Sequence, residues 1–130
     1  MTRYDMAIIG AGPAGLAAAA TAAEAGLSVC VLDEQLRAGG QIYRDVERAA
    51  GLRGDILGKD YTQGATLVAG LRAGGITHVS GAVVWAIEDG FRISYTQNGA
   101  AAQIEAARLL LATGALERPM PLPGWTLPGV

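Results

Sequence analysis

The chain has 130 residues, of which 51% are hydrophobic and 17% are charged, the composition of one globular domain with a buried core. Ten basic residues stand against twelve acidic ones, and Lys59 is the only lysine, so a nucleic-acid partner is not expected. The single cysteine excludes an internal disulfide or a Cys-x-x-Cys pair in this chain, so redox chemistry here requires a bound cofactor.

The first predicted elements form a strand, turn, helix and strand. The sequence predicts a strand over residues 4–9, a glycine-rich turn, a helix over 13–25 and a second strand over 28–32. Gly26 closes the helix, since glycine is a good helix terminator. The apolar run 7–32 is interrupted by glycines, by Pro13 and by Glu24. It is therefore predicted to be neither a signal peptide nor a membrane span, and we expect a cytoplasmic protein with no membrane contact.

The turn has the spacing of a dinucleotide-binding loop. Gly10 permits the tight turn out of the strand, Gly12 lets a pyrophosphate approach the backbone, and Gly15 lets the helix pack closely on the sheet. The helix start at Pro13 and Ala14 directs its unpaired N–H groups and positive dipole end toward the phosphates. These five residues are therefore candidate cofactor contacts.

An acidic residue completes this pattern. Asp33 lies 23 positions after Gly10, at the end of the second strand, where its carboxylate can accept hydrogen bonds from the adenosine ribose. A purely structural glycine-rich turn would account for Gly15. It would not account for all three glycines together with Asp33.

The next residues carry a resemblance to a known family. The stretch Val-Leu-Asp-Glu-Gln-Leu-Arg-Ala-Gly-Gly-Gln, residues 31–41, resembles the FAD-binding extension of flavoproteins of the pyridine nucleotide-disulfide oxidoreductase type, which have two dinucleotide-binding domains. The resemblance implies FAD rather than NAD at this site. That family more often has Glu at the strand end, so Asp33 is a departure and the adjacent Glu34 is a candidate substitute or helper.

The resemblance also implies roles within this extension. The backbone of Gly39 and Gly40 is expected to pass close to the FAD pyrophosphate and ribityl chain, where a side chain would collide. Arg37 is either a phosphate contact or a solvated loop charge. The further candidates from the same stretch are Gln35 and Gln41.

A third match lies near the end of the chain. Residues 108–115 predict a buried strand running into a glycine turn, and Ala112-Thr113-Gly114 is similar to the motif with which the family returns its chain to FAD. Residues 116–130 resemble the proline-rich crossing toward the NAD(P) domain. Together with 33–44, they look most like the FAD/NAD-binding subunits of opine oxidases, hydrogen cyanide synthases and dehydrogenases of proline or hydroxyproline.

The middle of the chain is less informative. We expect a loop with a short helix over 45–58, a helix over 60–73, and strands over 76–88, 91–96 and 102–106, with turns at 89–90 and 97–99. The resemblance implies a three-stranded antiparallel insert here, with an adenine contact from backbone at Val83 or Val84. Core packing is the alternative for both valines. His78 has no neighbouring metal ligand or nucleophile partner and is interpreted as structural, and no metal site is predicted.

These features predict an α/β fold: an FAD/NAD(P)-binding Rossmann-like domain with a parallel sheet, helices and a small antiparallel insert. We expect residues 1–130 to form this FAD-binding domain incompletely, as an N-terminal fragment that lacks the C-terminal return and the NAD(P) domain. NAD(P) would then bind only to the missing part, and the uncovered sheet edge predicts self-association. No catalytic residue stands out.

The function expected from the resemblance is the FAD-binding part of an oxidoreductase, inactive alone, in a multi-subunit amino-acid or opine dehydrogenase with a second flavoprotein subunit. Two alternatives remain open. One is a stand-alone NAD(P)H-dependent flavin reductase, and the other is a non-catalytic nucleotide-binding module.

Overall fold

The computed structural model describes residues 1–72, 74–116 and 118–128. The elements in chain order are β1 (Thr2–Tyr4), β2 (Met6–Ile9), α1 (Pro13–Glu24), β3 (Val29–Asp33), α2 (Val46–Leu57), α3 (Lys59–Thr62), α4 (Gly64–Ala69), a 3₁₀ turn (Gly70–Arg72), β4 (Ile76–Ser80), β5 (Ala82–Glu88), β6 (Arg92–Gln97), β7 (Ala100–Ala106) and β8 (Leu109–Leu111). They build two four-stranded sheets, and the predicted α/β fold is confirmed.

The first sheet is parallel, with strand order β4-β3-β2-β8. Helix α1 is the crossover from β2 to β3, and its face of the sheet carries a core that includes Ile8, Leu16, Val31 and Val68. The opposite face of the sheet packs on a second core, which includes Cys30, Leu32 and Ile93. Four consecutive residues of β3 are fully buried, as expected for a central strand covered on both faces.

The second sheet has the order β1-β7-β6-β5. The predicted three-stranded antiparallel insert is confirmed as β5, β6 and β7, and both predicted turns occur. In the turn between β6 and β7, Asn98 and Gly99 both have positive φ, 51° and 78°, as a two-residue hairpin requires. The structure adds a fourth strand, because β1 pairs parallel to β7.

Two predicted single strands are wrong, since each is divided between the two sheets. Residues 4–9 break at Asp5, so that β1 enters the second sheet while β2 enters the first. Residues 76–88 break at Gly81, whose φ of 67° turns the chain from β4 into β5. A strand cannot follow both sheets, and these residues lie where the chain passes from one to the other.

The helical region also differs from the prediction. Residues 45–58, expected to be loop with a short helix, contain the twelve-residue α2, which has non-helical φ and ψ at Arg53. The helix expected over 60–73 is divided into α3, α4 and the 3₁₀ turn, and the predicted end at Ala73 lies outside the described residues. None of the helices in the described part of the chain has the length and apolar character needed to cross a membrane.

Candidate functional site

The candidate site lies at the carboxyl ends of β2, β3 and β8, beside the N-terminus of α1. From β2 the chain leaves through α1 to β3 on one side, while β8 pairs with β2 on the other. The carboxyl ends of such neighbouring strands form the crevice in which open α/β sheets bind ligands. The predicted glycine turn, Asp33 and the Ala112-Thr113-Gly114 turn all meet at this edge.

Two glycines of the turn are required by the packing of the protein itself. Gly10 has a φ of 109°, and a Cβ there would lie 2.2 Å from the carbonyl oxygen of Ala112 and 3.2 Å from the Cα of Thr113. A Cβ on Gly15 would lie 1.9 Å from the Gly10 carbonyl oxygen. The structure therefore brings Gly10, Gly15, Ala112 and Thr113 together by backbone contact.

Gly12 differs from these two glycines. Its φ of −77° suits any residue, and a Cβ there would meet only the Cα of Gly40, at 3.8 Å. The fold of this chain therefore leaves open space in front of Gly12. A ligand that approaches this backbone gives a reason for glycine at this position that packing does not give.

The start of α1 offers unpaired donors beside that space. Pro13 occupies the first turn, and no side chain caps the helix. The first helical hydrogen bond runs from the Leu16 N–H to the Gly12 carbonyl, so the N–H groups of Ala14 and Gly15 precede it. The first turn contains no acidic residue, and the positive end of the helix dipole is therefore available to an anion.

Asp33 has a structural task that the sequence did not reveal. Its Oδ2 accepts a hydrogen bond from the Ala11 N–H at 2.5 Å, and its Oδ1 accepts one from the Gln35 N–H at 2.7 Å. The carboxylate thus fastens the glycine turn to the end of β3. Because each oxygen can accept more than one hydrogen bond, a ribose hydroxyl can still be received there.

The other charged candidates are placed differently. Glu34 is exposed, and its side chain has one described hydrogen bond, from Gln35 Nε2 at 3.5 Å. Arg37 is paired with Asp45, which also receives Arg48 Nε at 2.7 Å. These two arginines hold the pKa of the Asp45 carboxyl below its ordinary value. Arg37 is therefore neither placed at the glycine turn nor left as a lone solvated charge.

The segment Gly39-Gly40 lies directly on the glycine turn. The Gly39 N–H donates to the Ala11 carbonyl at 2.8 Å. A Cβ on Gly40 would lie 2.9 Å from the Cα of Gly12 and 3.4 Å from the Cδ of Pro13. Gln41 is exposed, and its Oε1 accepts a hydrogen bond from Arg44. Gly39, Gly40 and the turn thus form one wall of backbone without side chains.

The remaining candidates lie at the rim. Val83 is 53% exposed, whereas Val84 packs against the second core, so the valines face opposite sides of β5. The start of β5 is held near the site because the Gly81 N–H donates to the Gln35 carbonyl at 3.1 Å. Gly114 has a φ of 71° with no atom within 4 Å of a Cβ built there.

Other chemistry-bearing groups lie away from this wall. The Cys30 thiol is buried in β3, and burial raises its pKa to about 12. His78 in β4 is half-buried, its Nε2 lacks a hydrogen-bond partner, and burial lowers the pKa of its imidazole. Among the described residues no group of His, Cys, Asp and Glu could hold a metal ion.

Sequence reasoning missed two residues that support the site, Tyr43 and Gly64. A Cβ on Gly64 would lie 2.2 Å from the Cδ1 of Tyr43, so the tyrosine ring lies directly on this glycine. The available signal was a glycine inside a predicted helix, where glycine is unfavourable without a packing reason. The partner of that glycine cannot be read from local sequence.

Known proteins share both the sequence and the fold that build this site. The family model described as pyridine nucleotide-disulphide oxidoreductase matches residues 4–129. The larger-lettered relatives include an opine oxidase component, the A polypeptide of the Agrobacterium tumefaciens enzyme, which is 45% identical over 135 residues, covering 98% of this chain and 27% of that protein. Hydrogen cyanide synthase subunit HcnB of Pseudomonas aeruginosa is 40% identical, covering 95% of this chain and 27% of that protein. The chain thus spans about a quarter of the length of these curated relatives.

A solved structure agrees with the fold. The crystal structure of L-proline dehydrogenase from P. horikoshii superimposes with a TM-score of 0.73 at 25% sequence identity, covering 92% of this chain and 24% of that one. The resemblance predicted from residues 33–44 and 113–130 is confirmed by these relatives at the level of family and branch.

Proposed function

Because the chain belongs to the pyridine nucleotide-disulphide oxidoreductase family, we propose that it forms the FAD-binding part of a flavin-dependent oxidoreductase. The observation that carries this proposal is the open space in front of Gly12, in a turn where the neighbouring glycines are required by backbone contact. The backbone wall around this space, the uncapped helix start and the Asp33 carboxylate fit the pyrophosphate and adenosine ribose of a dinucleotide.

Each part of the site has a distinct task in this proposal. The N–H groups of Ala14 and Gly15 bind the pyrophosphate, and the carboxylate of Asp33 orients the adenosine ribose. Gly39 and Gly40 exclude side chains from the path of the ribityl chain, and Thr113-Gly114 closes the opposite side. The bound flavin would supply the electron-transfer chemistry. The residues of this chain would supply binding and orientation.

We infer further that the complete protein is a cytoplasmic subunit of a multi-subunit amino-acid or opine dehydrogenase. The names of the relatives support this, since they are subunits of opine oxidase and of hydrogen cyanide synthase. A second flavoprotein subunit would then act on the amine substrate. NAD(P), if used, would bind outside residues 1–130, because the G-x-G-x-x-G spacing occurs here once.

The alternatives make different demands on the chain. A non-catalytic nucleotide module would have no use for Gly39-Gly40 against the glycine turn. A stand-alone NAD(P)H-dependent flavin reductase would use this site in the same way but would need no partner. Purification of the full-length protein from its host, followed by flavin reduction with opine or proline-like substrates, separates the two. A lone polypeptide reduced only by NAD(P)H would refute the multi-subunit proposal and leave the FAD site intact.

The FAD site itself is tested with two matched glycines that have room for a side chain. Gly12→Ser places a good N-cap residue at the start of α1, so stability is expected to be kept or raised. FAD affinity, measured by calorimetry, should fall at least ~tenfold, because the hydroxymethyl group occupies the phosphate path. Gly51→Ser, also in open space, should leave affinity unchanged. Equal FAD affinity of Gly12→Ser and the parent would refute the proposal.

A further inference from the structure

A chain of close contacts links α4 to the glycine turn, and it begins at Gly64. This residue has no positive φ, so the backbone conformation does not require glycine there. Glycine in a helix costs about 0.5–1 kcal/mol relative to alanine. The Tyr43 ring explains its presence, because a Cβ on Gly64 would lie 2.2 Å from Cδ1 and 2.3 Å from Cγ of that ring. The Cγ atom is fixed close to the backbone, so the ring cannot swing aside without moving its own residue.

The backbone of Tyr43 is in turn packed on Gly39. A Cβ on Gly39 would lie 2.2 Å from the Tyr43 carbonyl oxygen, and the Tyr43 N–H donates to the Gly39 carbonyl at 3.1 Å. Gly39 then donates to the Ala11 carbonyl, and Gly40 lies against Gly12. A shift of Tyr43 therefore reaches the open space in front of Gly12 through backbone contacts.

The Tyr43 ring is also held from its other side. Tyr61 of α3 packs on it in a tilted arrangement with ring centroids 6.5 Å apart, and the Tyr61 hydroxyl donates to the Arg44 carbonyl at 2.6 Å. Both rings pack against the core on the α1 face of the sheet. The ring of Tyr43 thus has a fixed seat between Tyr61 and Gly64.

We propose that Tyr43 and Gly64 are positioning residues that set the height of the Gly39-Gly40 backbone above the glycine turn, and thereby the width of the pyrophosphate path. This inference rests on the proposed function for its ligand. The structural link from Gly64 to Gly39 stands independently of the ligand and can be measured without one.

The first test uses the ligand-free protein. In Gly64→Ala, hydrogen exchange of the Gly39 amide, which bonds to Ala11, should accelerate at least ~tenfold, equivalent to 1.4 kcal/mol of local stability. The Gly10 amide, which bonds to the Leu32 carbonyl at 2.8 Å, should exchange as in the parent. Gly51→Ala, in a helix with open space, is the matched control and should change neither amide. Unchanged exchange at Gly39 would overturn the proposal.

The second test separates positioning from general destabilisation. Gly64→Ala should weaken binding of FAD and ADP about tenfold and leave binding of adenosine unchanged, because adenosine does not reach Gly39. In the Tyr43→Ala background there is room for the added methyl, so Gly64→Ala should have no further effect on Gly39 exchange or ADP affinity. Equal effects in both backgrounds would overturn the route through the ring. If the parent binds neither FAD nor ADP, the proposed function fails, and the exchange test still decides this inference.

Discussion

Replacement of Asp33 by alanine is expected to weaken the fold as well as dinucleotide binding. Its two carboxylate oxygens accept backbone N–H groups at 2.5 Å from Ala11 and 2.7 Å from Gln35. A hydrogen bond to a charged acceptor contributes about 1.5–3 kcal/mol, and the lower value applies to this half-buried side chain. Loss of both should reduce the free energy of unfolding by about 3 kcal/mol, a large part of the total for a small domain.

Urea denaturation measures this loss as a lower midpoint at an unchanged slope. Glu34→Ala is the matched control, because that neighbouring carboxylate receives no described backbone N–H and should change stability by less than about 0.5 kcal/mol. Asp33→Glu keeps a carboxylate at the strand end and should recover most of the stability. FAD affinity of Asp33→Ala should fall at least ~tenfold. A midpoint equal to that of the parent would refute the structural role deduced from the two hydrogen bonds.

Three further predictions concern groups outside the site. Because burial raises the pKa of the Cys30 thiol to about 12, native protein at pH 8 should react with a thiol reagent only as fast as it unfolds, and fast labelling would contradict this. Burial lowers the pKa of His78 below its usual 6.5, against the nearby Asp33 and Glu47 carboxylates. Unfolding therefore takes up a proton as pH falls, so stability should decrease from about pH 7.5 to 5.5, and less so in His78→Gln. Strand β8 pairs only with β2 among the described residues, and Leu111 on it is 61% exposed, so light scattering should detect self-association that Leu111→Lys abolishes. A monomeric parent would contradict the edge-pairing argument.

The glycine turn was predictable because its determinants are local. Three glycines at fixed spacing, between a strand and a helix, leave few other conformations, and Gly10 and Gly15 contact each other within the same turn. The seat of Tyr43 was not predictable, since it depends on Gly64, twenty-one positions away, and on the packing of α3 and α4. The second task of Asp33 was hidden for a similar reason. Spacing placed the carboxylate near the ribose, but only the folded turn brings the Ala11 N–H to it.

The division of residues 4–9 between two sheets shows how a long-range contact overrides a local strand pattern. Asp5 interrupts the run because its Oδ2 accepts the N–H of Ser28 at 2.8 Å and the Ser28 hydroxyl at 2.7 Å. These bonds lower the pKa of the Asp5 carboxyl, so the joint is held by the ionised form. The contact fixes the start of β2 beside the start of β3, which sets the register in which Ile9 pairs with Leu32. Gly10 and Asp33 follow directly after these partners, so the joint at Asp5 aligns the glycine turn with the carboxylate from the opposite end of the strands.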